Sequence, residues 1–133
     1  MSQENVEQLH RLNDALDRRD VDGVIAVSDP DVEFTPLLIQ LEGGSPYRGH
    51  DGVRSWFADL FGAFPDYRAT VDDVKDLGTW TVASVRARVR IPGSDDFTEQ
   101  RFWHATEWRR GKCIWWRNYL TEAEALEAAG LLE

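Results

Sequence analysis

The chain reads as an α+β domain: helices, most of them N-terminal, packed on the concave face of a curved antiparallel sheet shaped as a cone. Three observations predict it. Apolar residues before Phe64 recur at three- and four-residue spacing, while those after Tyr67 alternate with a period of two. The signals between the late segments, Pro92-Gly93-Ser94 and Arg110-Gly111, are short enough to join neighbouring antiparallel strands. Helices grouped against a bent antiparallel sheet close one side of it, and such a cone leaves room for a cavity. At 133 residues the whole chain, 1–133, is expected to form a single domain with one core.

The first helix is expected over 3–18, with Val6, Leu9, Leu12 and Leu16 as its apolar stripe and Ser2 as its cap. Asp20 caps a second, short helix that presents Val21, Val24, Ile25 and Val27 and ends at Asp29-Pro30-Asp31. Val32–Pro36 alternates as a short strand, and the Gly/Ser/Pro-containing stretch through Pro46 reads as a loop. A third helix follows, in which Val53, Trp56, Phe57, Leu60, Phe61 and Phe64 hold the helical period; Asp51 is its cap and Pro65 its stop.

Strands are expected over 67–76, 79–91, 97–109 and 112–120. In the second of these Thr81, Ala83, Val85, Ala87, Val89 and Ile91 share one face, opposite Arg86, Arg88 and Arg90. The arginines are expected to pair with Glu99, Glu107 and carboxylates of a partner subunit. Thr121 and Glu124 have the spacing of a capping box and open a terminal helix that Gly130 stops.

Composition narrows the function classes. The chain is 42% hydrophobic and 29% charged, and its net charge of −9 argues against nucleic acid or an anionic membrane surface as a partner. That balance suits a cytoplasmic protein handling neutral or cationic small molecules. The polar N-terminus has no apolar region, and no segment approaches the roughly 18 apolar residues of a membrane span. Cys113 is the only cysteine, without zinc-ligand spacing around it, and is expected to be a strand residue rather than a nucleophile. With no Gly-rich phosphate loop, dinucleotide fingerprint or metal triad, the expectation is no cofactor and no metal.

Several stretches carry a family resemblance. They are Arg18-Arg19-Asp20-Val21-Asp22-Gly23-Val24, Asp29-Pro30-Asp31-Val32-Glu33-Phe34, Tyr47-Arg48-Gly49-His50-Asp51-Gly52-Val53 and Glu107-Trp108-Arg109-Arg110-Gly111-Lys112-Cys113-Ile114, followed by Tyr119-Leu120-Thr121 and Glu124-Ala125-Leu126. Together they resemble the nuclear transport factor 2-like superfamily, within it the SnoaL-like branch, over nearly the whole chain. The resemblance implies a cystatin-like α+β cone, usually dimeric through the open face of the sheet. Relatives in that superfamily include polyketide cyclases, ketosteroid isomerases and epoxide hydrolases. The positions that carry ketosteroid isomerase chemistry fall on Phe34, Leu12 and His104, so that mechanism is not expected. The Asp-Arg-Asp water site of the epoxide hydrolases has no counterpart among Phe102, His104, Thr106 and Trp108.

Asn13, His104 and Asn118 are polar where the periodicity demands a core-facing side chain. They either satisfy one another, with Thr106, or hold a pocket open. In the pocket reading Asn13, Thr106 and Asn118 orient a ligand among Phe34, Trp56, Phe57, Trp108 and Trp116. His104 is the candidate catalytic acid/base, since an unperturbed imidazole titrates at about 6.5. The resemblance puts His104 or a neighbour in the region where SnoaL-like cyclases carry a late-strand Asp, and it turns Ile114, Trp116 and Asn118 inward on the last strand. His50-Asp51 is better explained by loop and cap than as a second catalytic pair. Three functions follow: a cofactor-independent isomerase, cyclase or hydratase acting on a small hydrophobic molecule, a non-catalytic ligand-binding module, or a structural dimer with a filled cone. Trp103, Trp115 and Tyr119 beside arginines on the outer sheet face predict a homodimer through that face.

Overall fold

A computed structural model describes residues 2–91 and 93–130, apart from the side chains of Ser2 and Leu38. The cap expected of the Ser2 side chain therefore lies outside the described residues. In chain order the elements are α1 (Ser2–Asp17), α2 (Val21–Ala26), β1 (Ser28–Thr35), α3 (Leu37–Glu42), β2 (Tyr47–Arg48), α4 (Gly49–Ala63), β3 (Arg68–Asp76), β4 (Trp80–Arg90), β5 (Phe97–Arg109), β6 (Lys112–Tyr119) and α5 (Glu122–Ala128). The strands form one curved, open six-stranded sheet in the order β2-β1-β6-β5-β4-β3.

The late strands follow their alternation. Val85 pairs with Phe102 and His104 with Asn118 across antiparallel ladders, so these side chains meet on the concave side. On that side Leu9, Leu12, Leu16, Val24, Val32, Phe34, Val53, Trp56, Trp108 and Trp116 build the main core. α1 packs on β3 and α4 on β1, with α2 bridging the two helices. Asp20 caps α2 as expected, its Oδ1 accepting from the Gly23 N–H at 3.0 Å. Thr121 caps α5 in the same way, accepting from the Glu124 N–H at 3.2 Å.

Six features differ from expectation. First, the sheet is mixed: β1 lies parallel to β6, because the intervening chain carries β1 back to the far edge of the meander. Second, Pro30 does not end a helix. It sits inside β1 where the register slips between Ser28 and Glu33, and a bulge tolerates a residue with no N–H to give. Third, the expected loop after Pro36 holds the short helix α3, closed by Gly43 at φ 72°, and the two-residue strand β2. Fourth, α4 begins at Gly49 rather than after Asp51; Asp51 is fully exposed and pairs with Arg54 at 3.6 Å. Fifth, a slip in register between Glu107 and Trp108 turns Cys113, rather than Ile114, into the core.

The sixth concerns the outer face. α5 packs there, burying Ala125 against Val82 and Ala105 and resting beside Trp80, Trp103, Trp115 and Tyr119. Part of the apolar surface assigned to a partner subunit is thus covered by the chain itself. The arginine ladder is likewise engaged internally. Arg86 holds Asp72 through two hydrogen bonds of 2.8 and 2.9 Å and reaches Glu99 at 3.6 Å. Arg90 takes Asp66 at 2.7 Å, and Arg88 lies 4.1 Å over the Phe97 ring. Asp72, on neighbouring β3, takes the place expected for Glu107.

Candidate functional site

A half-open cavity of about 560 Å³ lies between α3, α4 and the concave sheet. Its floor is Ala87 and Val89 of β4, Gln100 and Phe102 of β5, and Trp116 and Asn118 of β6. α4 supplies Trp56, Asp59, Leu60 and Ala63, continued by Phe64 and Tyr67; Leu37, Ile39, Leu41 and Glu42 of α3, with Tyr47 of β2, close the opposite side. The volume lies within the range of about 300–1,000 Å³ usual for small-molecule sites, and the lining is mainly rings and aliphatic side chains.

α3 owes its position to Gln40, whose Nε2 donates to the carbonyls of Thr35 and Asn118, each at 3.0 Å. This ties the helix across the ends of β1 and β6. Leu41 remains 73% exposed at the mouth. On the far side Arg19 donates to the carbonyls of Pro65 and Tyr67 at 2.9 and 2.7 Å, holding the turn that places Phe64 and Tyr67.

Of the residues singled out from the sequence, Trp56, Trp116 and Asn118 line the cavity. Phe34 lies behind them, stacked on Trp56 with centroids 5.1 Å apart and tilted against Trp116 at 5.5 Å. Phe57 meets Trp56 edge-on at 6.1 Å. Trp108 is buried deeper, its indole N–H donating to Thr81 Oγ1 at 2.9 Å. Asn13 is not part of this space: it donates from α1 to the carbonyl of Ala69 on β3 at 3.1 Å. The polar trio is therefore split between two regions of the core.

His104 is 4% exposed and sits against Trp116, ring centroids 5.2 Å apart, outside the cavity lining. Thr106 Oγ1, itself buried, is 3.4 Å from its Nδ1, a long and weak contact. Burial pushes its pKa down to about 4, with a backbone hydrogen bond weakly opposing, so the ring is neutral at pH 7. Among the described lining residues His104 is absent, whereas Asn118, its cross-strand neighbour, and Trp116, its ring partner, are both present. Two polar atoms at this inner wall, Trp116 Nε1 and Asn118 Oδ1, are buried without a partner among the described residues.

Polar lining groups not picked out beforehand are Tyr47, Asp59, Tyr67, Glu42 and Gln100. The Tyr47 hydroxyl donates to Asp59 Oδ2 at 2.6 Å. Burial, that hydrogen bond and the charges of Asp59 and Glu42 raise its pKa to about 12. Burial also pushes the Tyr67 phenol up, aided by Asp17 and opposed by Arg19. Both phenols stay protonated at neutral pH. A trace of this site existed in the sequence: Asp59 follows Trp56 by three and flanks the apolar stripe of α4. Tyr47 joins it only because β2 hydrogen-bonds to β1 beside that helix.

The other reactive groups are structural. His50 Nε2 donates to the Ser28 carbonyl at 3.0 Å, and the Asp51 beside it faces solvent. Cys113 is fully buried, its thiol donating to the Trp115 carbonyl at 3.8 Å and its pKa pushed up by burial. Among the described residues no cluster of His, Cys, Asp and Glu is placed to hold a metal ion, and no helix is long and apolar enough to cross a membrane.

No curated protein matches the chain. Solved structures share its fold at low identity. An NTF2-like protein of unknown function from Burkholderia pseudomallei superposes with a TM-score of 0.76 at 24% identity, covering 93% of this chain and 95% of that one. TerC, co-crystallised with polyporic acid, gives 0.79 at 20% identity over 93% and 98% of the two chains. IdmH, a polyketide cyclase candidate from Streptomyces antibioticus, gives 0.76 at 19% identity over 95% and 98%. The family model of the SnoaL-like domain matches residues 9–116, most of the chain from α1 to β6. The chain therefore belongs to the SnoaL-like domain family.

Proposed function

We propose that this protein binds a small, largely apolar molecule in the cavity between α3, α4 and the sheet. The observation that carries the reading is the half-open cavity of about 560 Å³, walled by Trp56, Phe64, Tyr67, Phe102 and Trp116 and marked with few polar groups. Apolar walls supply affinity, while the Asn118 and Gln100 amides and the Tyr47–Asp59 pair supply orientation. TerC, of the same fold, was crystallised with polyporic acid, which supports a small-molecule occupant here.

An isomerase- or cyclase-type reaction on the bound molecule is the second reading. Its specific support is Tyr47–Asp59, a hydrogen-bonded acid and base on the lining itself. The IdmH likeness is consistent with it at the level of fold. His104 lies outside the lining and its side chain contacts Thr106 and Trp116, so this reading does not draw on its imidazole.

A thermal-shift screen with steroids, aromatic polyketides and terpenoids tests the binding reading, since a ligand of the folded state raises the melting temperature. At least one class is expected to give a shift that Ala63→Trp, which fills the cavity from the exposed side of α4, abolishes. Failure of all three classes would overturn the reading.

A further inference from the structure

We infer that the cavity prefers ligands carrying a protonated amine on their apolar body. This rests on the binding reading above and names the class of its ligand.

The polar edge formed by α3, β2 and α4 consists of Glu42, Tyr47 and Asp59. Two are carboxylates. The third, Tyr47, already donates its only O–H to Asp59 Oδ2 at 2.6 Å, so its oxygen offers a ligand nothing but lone pairs. Three groups on one edge of the cavity can therefore accept hydrogen bonds, and none there can donate. No Lys, Arg or His is found among the described lining residues. The basic side chains nearest in sequence are turned to other partners, Arg48 to Glu33 at 3.3 Å and Arg54 to Asp51 at 3.6 Å.

An ammonium group suits such an edge in three ways. It donates up to three hydrogen bonds to acceptors that otherwise depend on water. Trp56, Tyr67 and Trp116 line the same cavity, and aromatic rings attract a cation through their quadrupoles. The net charge of −9 draws cations toward the molecule before contact. A ligand carboxylate meets the opposite: two like charges at the mouth and no cation inside to neutralise it. The Asn118 and Gln100 amides, at the floor, can serve a neutral oxygen, which is why alcohols are expected to bind less tightly rather than not at all.

Three near-isosteric probes separate these cases: naphthalenemethylamine, naphthalenemethanol and naphthoate, titrated calorimetrically at neutral pH. The amine is expected to bind about tenfold more tightly than the alcohol, and naphthoate more weakly than both. The double variant Glu42→Gln, Asp59→Asn is expected to lower the amine to the affinity of the alcohol, and Ala63→Trp to remove binding of all three. Equal affinity of amine and alcohol, or tighter binding of naphthoate, overturns the amine preference and leaves the binding function standing. Absence of binding by every probe overturns both.

Discussion

His104 and Asn118 face each other in register across β5 and β6, yet their side chains make no hydrogen bond. The imidazole turns to Thr106 and the Trp116 ring, and Asn118 Oδ1 is left buried with no partner among the described residues. A pair able to satisfy each other, left apart, leaves one ring poised to be charged out of the core and one amide oxygen free of the protein.

The first consequence is a pH dependence of stability. The folded pKa of His104, about 4, lies below the ordinary 6.5, so between those values the unfolded chain binds the proton more readily. Stability contributed by the neutral ring is complete above pH 6.5 and is lost as pH falls toward 4. The loss attributable to this residue is expected to reach about 3 kcal/mol by pH 4. Urea denaturation of wild type and His104→Phe across that interval should show the extra slope in wild type alone. Parallel slopes in the two proteins would refute the assignment.

Asn118→Leu separates stability from binding. The replacement has similar size and removes an unpaired buried acceptor, so unfolding free energy should rise by about 1 kcal/mol. Affinity for an oxygen-bearing probe such as naphthalenemethanol should fall, giving the trade-off expected where a site residue is retained against stability. A clear loss of stability would mean that ordered water satisfies this amide.

At Gly23 packing opposes helix propensity. Alanine is ordinarily favoured over glycine by about 1 kcal/mol in a helix. Here an added Cβ would stand 2.8 Å from both the Ala15 Cβ and Asp20 Oδ2, pressing on α1 and on the cap of α2 at once. Gly23→Ala is expected to destabilise by about 1–2 kcal/mol, read as a lowered melting temperature. An increase would show that the α1–α2 joint has slack.

The outer face makes an oligomeric prediction. Trp103, Trp115 and Tyr119 remain half-exposed beside α5, with Arg101 and Arg117 on the same side. A homodimer through this remaining surface is the expected state in light scattering at micromolar concentration, and Trp103→Glu should yield monomers. A monomeric wild type would assign these rings to α5 alone.

Much of the architecture was legible in local pattern. The stripe Val53–Trp56–Phe57–Leu60, the alternation of β4 and β5, and the caps at Asp20 and Thr121 each depend on neighbours within one or two turns, which a single chain displays. The same patterns identified Trp56, Trp116 and Asn118 as inward-facing, and all three line the cavity. α3 escaped because its six residues are too few to show a period and lie against Gly43, Gly44 and Pro46, which read as loop.

Position in the sequence alone determined which residues share a face where no bulge intervenes; it did not place the bulge that turns Cys113 inward, nor determine which faces meet. Inwardness could not tell His104, pressed against Trp116, from Asn118 on the cavity floor, nor send Asn13 to the Ala69 carbonyl. Only the tertiary structure decided that β1 runs parallel to β6, that α5 covers the outer face, and that Tyr47 finds Asp59. The physical reason is common to all of these. Periodicity records whether a side chain leaves water, whereas its partner is chosen by long-range pairing among many apolar surfaces of nearly equal energy.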